Sequence, residues 1–221
     1  MNKKIILSLF LVLGLVGMAM AEGTKPIQLS LFNPIQMVPE AESIGGVSLG
    51  LLYTVNQNVT GFSLTLGVNR AKGDVKGVAW GLGNWVDGLF YGWQDGLVSR
   101  VGGRFVGLQE GWVAITQGDL TGAQCGLVTW TDGYVHGAQL GIFNYTVGRF
   151  IGAQLGAVNV VKGDFSGASL GIVNYVEGTA KGLQLGLVNH AKSLNGLQIG
   201  LANYNGNKKP MEFMVLANWS F

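Results

Sequence analysis

Lys181-Gly182-Leu183-Gln184-Leu185-Gly186-Leu187-Val188-Asn189 is the cleanest copy of a unit that recurs through most of the chain, and how it is read decides the fold. Its leading glycine returns at Gly46, Gly61, Gly77, Gly92, Gly107, Gly122, Gly137, Gly152, Gly167, Gly182 and Gly196, a spacing of 15 with one step of 16 and one of 14. A fixed period constrains the architecture before any local propensity does, because each copy must meet its neighbour in the same way. Counting the leading glycine as position zero, positions one, three and five are apolar, as in Leu183, Leu185 and Leu187, and alternate with Gly182, Gln184 and Gly186. Alternation with period two predicts strand.

Further along the unit, at position eleven, stands another glycine, as in Asp87-Gly88, Gly102-Gly103, Asp132-Gly133, Lys162-Gly163 and Glu177-Gly178. Such x-Gly pairs between alternating runs predict two-residue hairpins, since Gly takes positive φ at no steric cost. With that turn, position three of one strand faces position three of the next, and the leading Gly faces the apolar residue at position six. The Leu-rich face then stays on one side of the sheet despite the odd period. About thirteen residues remain per strand, a wall roughly 30 Å tall at ~45° tilt, enough for the apolar band of an outer-membrane barrel. Lys72, Asp74, Arg104, Asp119, Arg149, Lys162 and Asp164 all flank the turns. Phe105, Phe150, Phe165, Tyr145 and Tyr175 lie toward strand ends, where a barrel carries its aromatic girdles.

Composition agrees with an envelope location. The chain has 221 residues, 48% hydrophobic and 12% charged, against about 25% charged for an average soluble domain. Gly is frequent at 37 residues without a Gly-X-Y pattern, which excludes collagen. Lys3 and Lys4 precede an apolar run from Ile5 to Val16, and Ala19-Met20-Ala21 supplies the small residues of a cleavage site. Residues 1–21 therefore read as a secretory signal peptide, the run being shorter than the ~20 residues of a membrane span. Residues 22–44, with Pro26, Pro34 and Pro39, form an N-terminal segment in which Ile27 to Asn33 resembles a degenerate copy of the unit and is expected as an extra strand. Residues 45–221 are the repeat β-domain. Without Lys3 and Lys4 the net charge of +2 falls to neutral, which argues against nucleic-acid binding. The single Cys125 has no disulfide partner in the chain and is expected to be buried.

At the C-terminus, Phe213, Val215, Ala217, Trp219 and Phe221 alternate back from a terminal Phe, which looks like the final strand and membrane-assembly signature of bacterial outer-membrane β-barrels. The tandem units starting at Gly137, Gly182 and Gly196 look like those of bacterial surface-repeat proteins, an exported family of unknown activity. The likeness covers roughly Gly45 to Phe221. It implies an exported, envelope-associated protein, with outer-membrane lipid and the barrel-assembly machinery as partners, and it brings no catalytic residues with it.

The expected fold is all-β, an antiparallel up-and-down β-barrel of about 12 strands. A parallel β-solenoid with 15-residue rungs is the alternative, and the identical tight turns at both ends of every unit favour it. The barrel implies a structural or narrow-pore outer-membrane protein without catalysis; the solenoid implies an exported surface interaction or adhesion protein. Asp95 and Glu110 replace the central Leu in successive units and are the only candidate irregular site: a partner contact, including self-association through the 92–121 sector, a cation site, or, if the two faces are inverted, a pair lining the lumen. Gln94, Gln109, Gln124, Gln139, Gln154, Gln184 and Gln198 form a column that would line a polar lumen or bond into a ladder stiffening the wall. His136 and His190 lack partners at zinc-ligand spacing, and the glycines follow the repeat rather than a phosphate loop, so no metal, no cofactor and no enzymatic activity is expected.

Overall fold

The computed structural model describes residues 23–221, and the leader expected at residues 1–21 lies outside them. The described residues fall into two units, the first ending at Leu97 and the second spanning Val98–Phe221. The first holds β1 (Lys25–Phe32), β2 (Ile35–Gln36), β3 (Ile44–Asn56), β4 (Val59–Thr65), β5 (Val68–Ala71), β6 (Val75–Trp80) and β7 (Gly83–Val86), and the division falls within β8 (Phe90–Val101). The second continues with β9 (Phe105–Thr116), β10 (Leu120–Thr131), β11 (Val135–Thr146), β12 (Phe150–Leu155), β13 (Val158–Val161), β14 (Phe165–Leu170), β15 (Val173–Leu185), β16 (Val188–Asn205) and β17 (Phe213–Ser220).

Each unit is a parallel β-solenoid, about twelve turns among the described residues, and the barrel is thereby corrected. The deciding observation is the register. Hairpins would set the leading Gly opposite position six, but Gly107 pairs with Gly122, Gly122 with Gly137 and Gly137 with Gly152, all in parallel. In the first unit Gly46 pairs with Gly61 and Gly61 with Gly77 in the same way. The x-Gly pairs are corners within a turn rather than reversals. At them the backbone bonds to the same corner one turn earlier, Gly118 N to Gly103 O at 3.2 Å and Gly133 N to Gly118 O at 3.2 Å.

Positive φ belongs to a different glycine from the one expected. It is found at the leading glycines, between 115° and 158°, and the corner glycines Gly88, Gly118, Gly133, Gly148, Gly163 and Gly178 lie outside the left-handed region. A Cβ on Gly137 would meet the carbonyl oxygen of Gly122, and one on Gly152 that of Gly137. The leading column is therefore glycine for two reasons, a backbone conformation that side chains disfavour and a close approach between successive turns.

The core is a set of stacked columns. Phe90, Phe105, Phe150 and Phe165 are buried, the last two with ring centroids 5.6 Å apart. Beside them run buried Gln, Asn and Thr or Val columns, and the apolar residues at positions three and five point outward. A 15-residue turn has two corners, so positions two, seven, nine and thirteen reach the inside together, a set that simple alternation does not select.

The segment ahead of the repeats joins the stack. β1 pairs in parallel with β3 through Ile27–Val47 and Gln28–Ser48, and β2 folds back antiparallel on β1. Gln28 holds the adjoining loop by donating to Val38 O at 2.9 Å and accepting from Val38 N at 2.8 Å. In the second unit β17 pairs antiparallel with β16, through Gly196–Ser220 and Ile199–Ala217. Lys208 donates to Asn218 Oδ1 at 3.1 Å and to Trp219 O at 2.7 Å.

Candidate interaction surface

All seven glutamines of the expected lumen column are buried at 0–1% exposure. Among the described residues they line no lumen, because each solenoid turn closes on its own side chains. In the second unit they bond head to tail: Gln124 Nε2 donates to Gln109 Oε1 at 2.8 Å, Gln139 to Gln124 at 2.9 Å and Gln154 to Gln139 at 2.9 Å. Ser169 interrupts the ladder, which resumes where Gln198 donates to Gln184 at 2.7 Å. Thr116, Thr131 and Thr146 each donate to the Gln of their own turn. A second ladder runs through Asn144, Asn159, Asn174, Asn189 and Asn203 at 2.7–2.9 Å. Each of the first four asparagines also donates to the backbone carbonyl at position three of the next turn, as Asn144 does to Leu155 O at 2.9 Å. A primary amide suits this column because it carries both donors and acceptor and can repeat indefinitely along the stack.

With the polar groups inside, the outward face of each unit is apolar. In the second unit Trp112, Leu127, Ile142, Ile172, Leu187 and Leu201 stand exposed at position five, with Leu140, Leu155, Leu185 and Ile199 beside them at position three. The first unit presents Leu51, Leu66 and Leu82 at position five, with Leu49 and Trp80 alongside. Ile142 is 60% and Leu201 61% exposed. Parallel turns are ~4.8 Å apart, so the side chains form continuous ridges rather than scattered singles.

Asp95 and Glu110 stand on this outward side. Asp95 lies next to Trp80 in the first unit, Glu110 next to Cys125 in the second. Among the described residues no group of three or more His, Cys, Asp or Glu is placed to hold a metal ion. Cys125 is half-buried; burial, with Glu110 beside it, pushes its thiol above the ordinary value, so it is protonated and weakly nucleophilic at neutral pH. Of the expected assembly residues, Phe213, Val215, Trp219 and Phe221 are exposed on or beside β17, and Ala217 faces Ile199. β17 closes no barrel seam.

Position eight carries stacked rings. Trp130 and Tyr145 lie 4.1 Å apart, and His190 sits between Tyr175 and Tyr204 at 4.5 and 4.9 Å. Burial lowers the His190 pKa below the ordinary imidazole value. Below about pH 6.5 the unfolded chain then binds more protons than the folded one. Stability resting on the neutral ring is complete above that pH and falls as the pH drops through it. His190→Phe keeps the stack and is expected to reduce the loss of urea resistance between about pH 7.5 and about pH 5.5. Equal losses in parent and variant would remove His190 as the cause.

The x-Gly-x corner of the second unit carries a feature that turn chemistry alone obscured. Position twelve reads Arg104, Asp119, Tyr134, Arg149, Asp164, Thr179, and all but Thr179 are exposed. Arg104, Asp119, Tyr134, His136, Ile151, Arg149 and Asp164 line a groove of about 650 Å³. Asp119 Oδ1 accepts from Tyr134 N at 2.8 Å and Asp164 Oδ1 from Thr179 N at 2.8 Å, so each carboxylate holds the following corner. Asp74 does the same for Leu89 N in the first unit. The signal was present in the sequence: Asp74, Asp119 and Asp164 are 45 residues apart, as are Arg104 and Arg149.

No family model matches the chain, and no curated protein or solved structure matches it significantly.

Proposed function

We propose that the protein is an exported cell-surface β-solenoid that acts without catalysis, as an interaction module docking through its outward apolar ridges. The observation carrying this reading is the inverted polarity of the turn, with Gln139, Asn144 and Thr146 buried while Leu140 and Ile142 face out. An apolar ridge repeated turn after turn marks a surface that works when covered. The basic-then-apolar leader pattern and the likeness of the repeats to bacterial surface-repeat units support export to a bacterial envelope.

Fractionation tests it. The mature chain is expected in the envelope or surface-exposed fraction, resistant to high salt because apolar contacts are not screened, and released by alkaline carbonate. Ile142→Glu, Ile172→Lys, Leu187→Glu and Leu201→Lys together are expected to move it to the soluble fraction, each costing only about 0.5 kcal/mol of stability because the sites are exposed. Retention of that folded variant in the envelope would refute docking through the ridge, and a cytosolic parent would refute export.

A further inference from the structure

We propose that the charged corner of the second unit is a self-complementary interface, at which a second copy of this chain packs antiparallel about a two-fold axis through Tyr134. The argument is charge complementarity. Along the corner the order is Arg104, Asp119, Tyr134, Arg149, Asp164, one residue per turn at ~4.8 Å. Rotation about Tyr134 sets Arg104 against Asp164 of the second copy and Asp119 against its Arg149, and the same pairs recur by symmetry. Every charge in the column then meets its opposite. An axis through Asp119 or Arg149 would set like on like, an axis between Asp119 and Tyr134 would oppose the arginines, one between Tyr134 and Arg149 would oppose the aspartates, and a parallel arrangement would oppose every residue with itself.

The side chains are free to do this. Among the described residues no ion pair within the chain engages Arg104, Asp119, Arg149 or Asp164, and the Arg104 guanidinium donates to Thr121 Oγ1 at 3.3 Å. Each aspartate uses only Oδ1 on the neighbouring corner. In the adjacent column Asp132 accepts from the Trp130 indole at 2.7 Å and Lys162 pairs with Glu177 at 2.6 Å, so these side chains are already engaged within the chain. Tyr134, 65% exposed, is the middle residue of the five and lines the groove, where it is accessible to the other copy. The apolar ridges lie elsewhere on the turn, so dimerisation and ridge docking are independent.

Sedimentation velocity on the mature chain is expected to show a dimer. Arg104→Glu with Arg149→Glu makes the column wholly acidic and is expected to weaken association more than about a hundred-fold. Asp119→Asn with Asp164→Asn keeps the corner hydrogen bonds but removes the attraction. Mixing the two variants restores two opposite-charge pairs, and a heterodimer is expected. In a Cys125→Ser background, Tyr134→Cys is expected to cross-link to itself on mild oxidation, since a disulfide requires Cα atoms within about 7 Å. Thr179→Cys, three turns or about 14 Å from the axis, is not. A monomeric parent, a dimer indifferent to the double Glu variant, no heterodimer on mixing, or Thr179→Cys cross-linking as readily as Tyr134→Cys would each overturn the proposal; a folded Tyr134→Cys variant that stays monomeric would do the same.

Discussion

Gly137→Ala is expected to cost about 4 kcal/mol, enough to unravel the middle of the second unit. Two terms combine. The φ of Gly137 is 148°, a conformation a side chain tolerates only at about 1–3 kcal/mol. The new Cβ also points at Gly122 O, a backbone atom in the paired ladder that cannot withdraw without opening the Gly122–Gly137 register. Overpacking of that kind adds about 1–3 kcal/mol. Because each turn is stabilised mainly by its two neighbours, the loss is expected to spread to adjacent turns. Urea unfolding followed by hydrogen exchange measures both the cost and its spread. A loss below about 1 kcal/mol would show that the leading column does not require glycine.

Gln139→Leu is expected to destabilise by about 3 kcal/mol or more although the volume hardly changes. Gln139 donates to Gln124 Oε1, accepts from Gln154 Nε2 and accepts from the Thr146 hydroxyl. All three partners are buried, and each stranded polar group costs about 1–3 kcal/mol. Removing the side-chain partners as well lowers the cost per site, since apolar groups of like shape strand none of those side chains and only the carbonyls that Gln109 and Gln124 also reach lose a donor. Replacing Gln109, Gln124, Gln139 and Gln154 by Leu with Thr116, Thr131 and Thr146 by Val is expected to cost less than the sum of the single changes, and this non-additivity separates a bonded ladder from simple packing. Strict additivity would mean that the glutamines act independently.

Both effects arise from columns that the sequence displays openly. The period of 15 and the strand-forming alternation were legible in units such as Gly182 to Asn189, and x-Gly was legible as a change of chain direction, though as a hairpin rather than a corner. So was the degenerate copy at Ile27 to Asn33, whose Gln28 meets Ser48 of the next turn. Strand direction was not legible, and the reason lies in the register. An antiparallel pairing about x-Gly also sets position three against position three and keeps Leu on one face, so the repeat pattern satisfies both arrangements. The two differ at the leading glycine, which meets position six in one and another glycine in the other. Local propensity is silent on that choice, because a glycine with φ of 115–158° inside a strand is ruled out by no neighbour in sequence.

The candidate surface divides in the same way. That leucines and glutamines lie on opposite faces follows from alternation alone, whereas which face is inside, and the joint burial of Gln139, Asn144, Thr146 and Phe150, depend on where the two corners bend the turn. Arg104, Asp119, Arg149 and Asp164 were visible as turn charges, but stacking makes them one column. The sequence by itself determined the length of the turn and the identity of every column, because these follow from periodicity. Only the tertiary structure decided that the columns stack in parallel, that the glutamines bond to one another rather than line a channel, and that oppositely charged corners succeed one another along one edge. Those features depend on which backbone carbonyl the next turn's N–H meets, a contact between residues 15 apart on which the pattern within a single unit is silent.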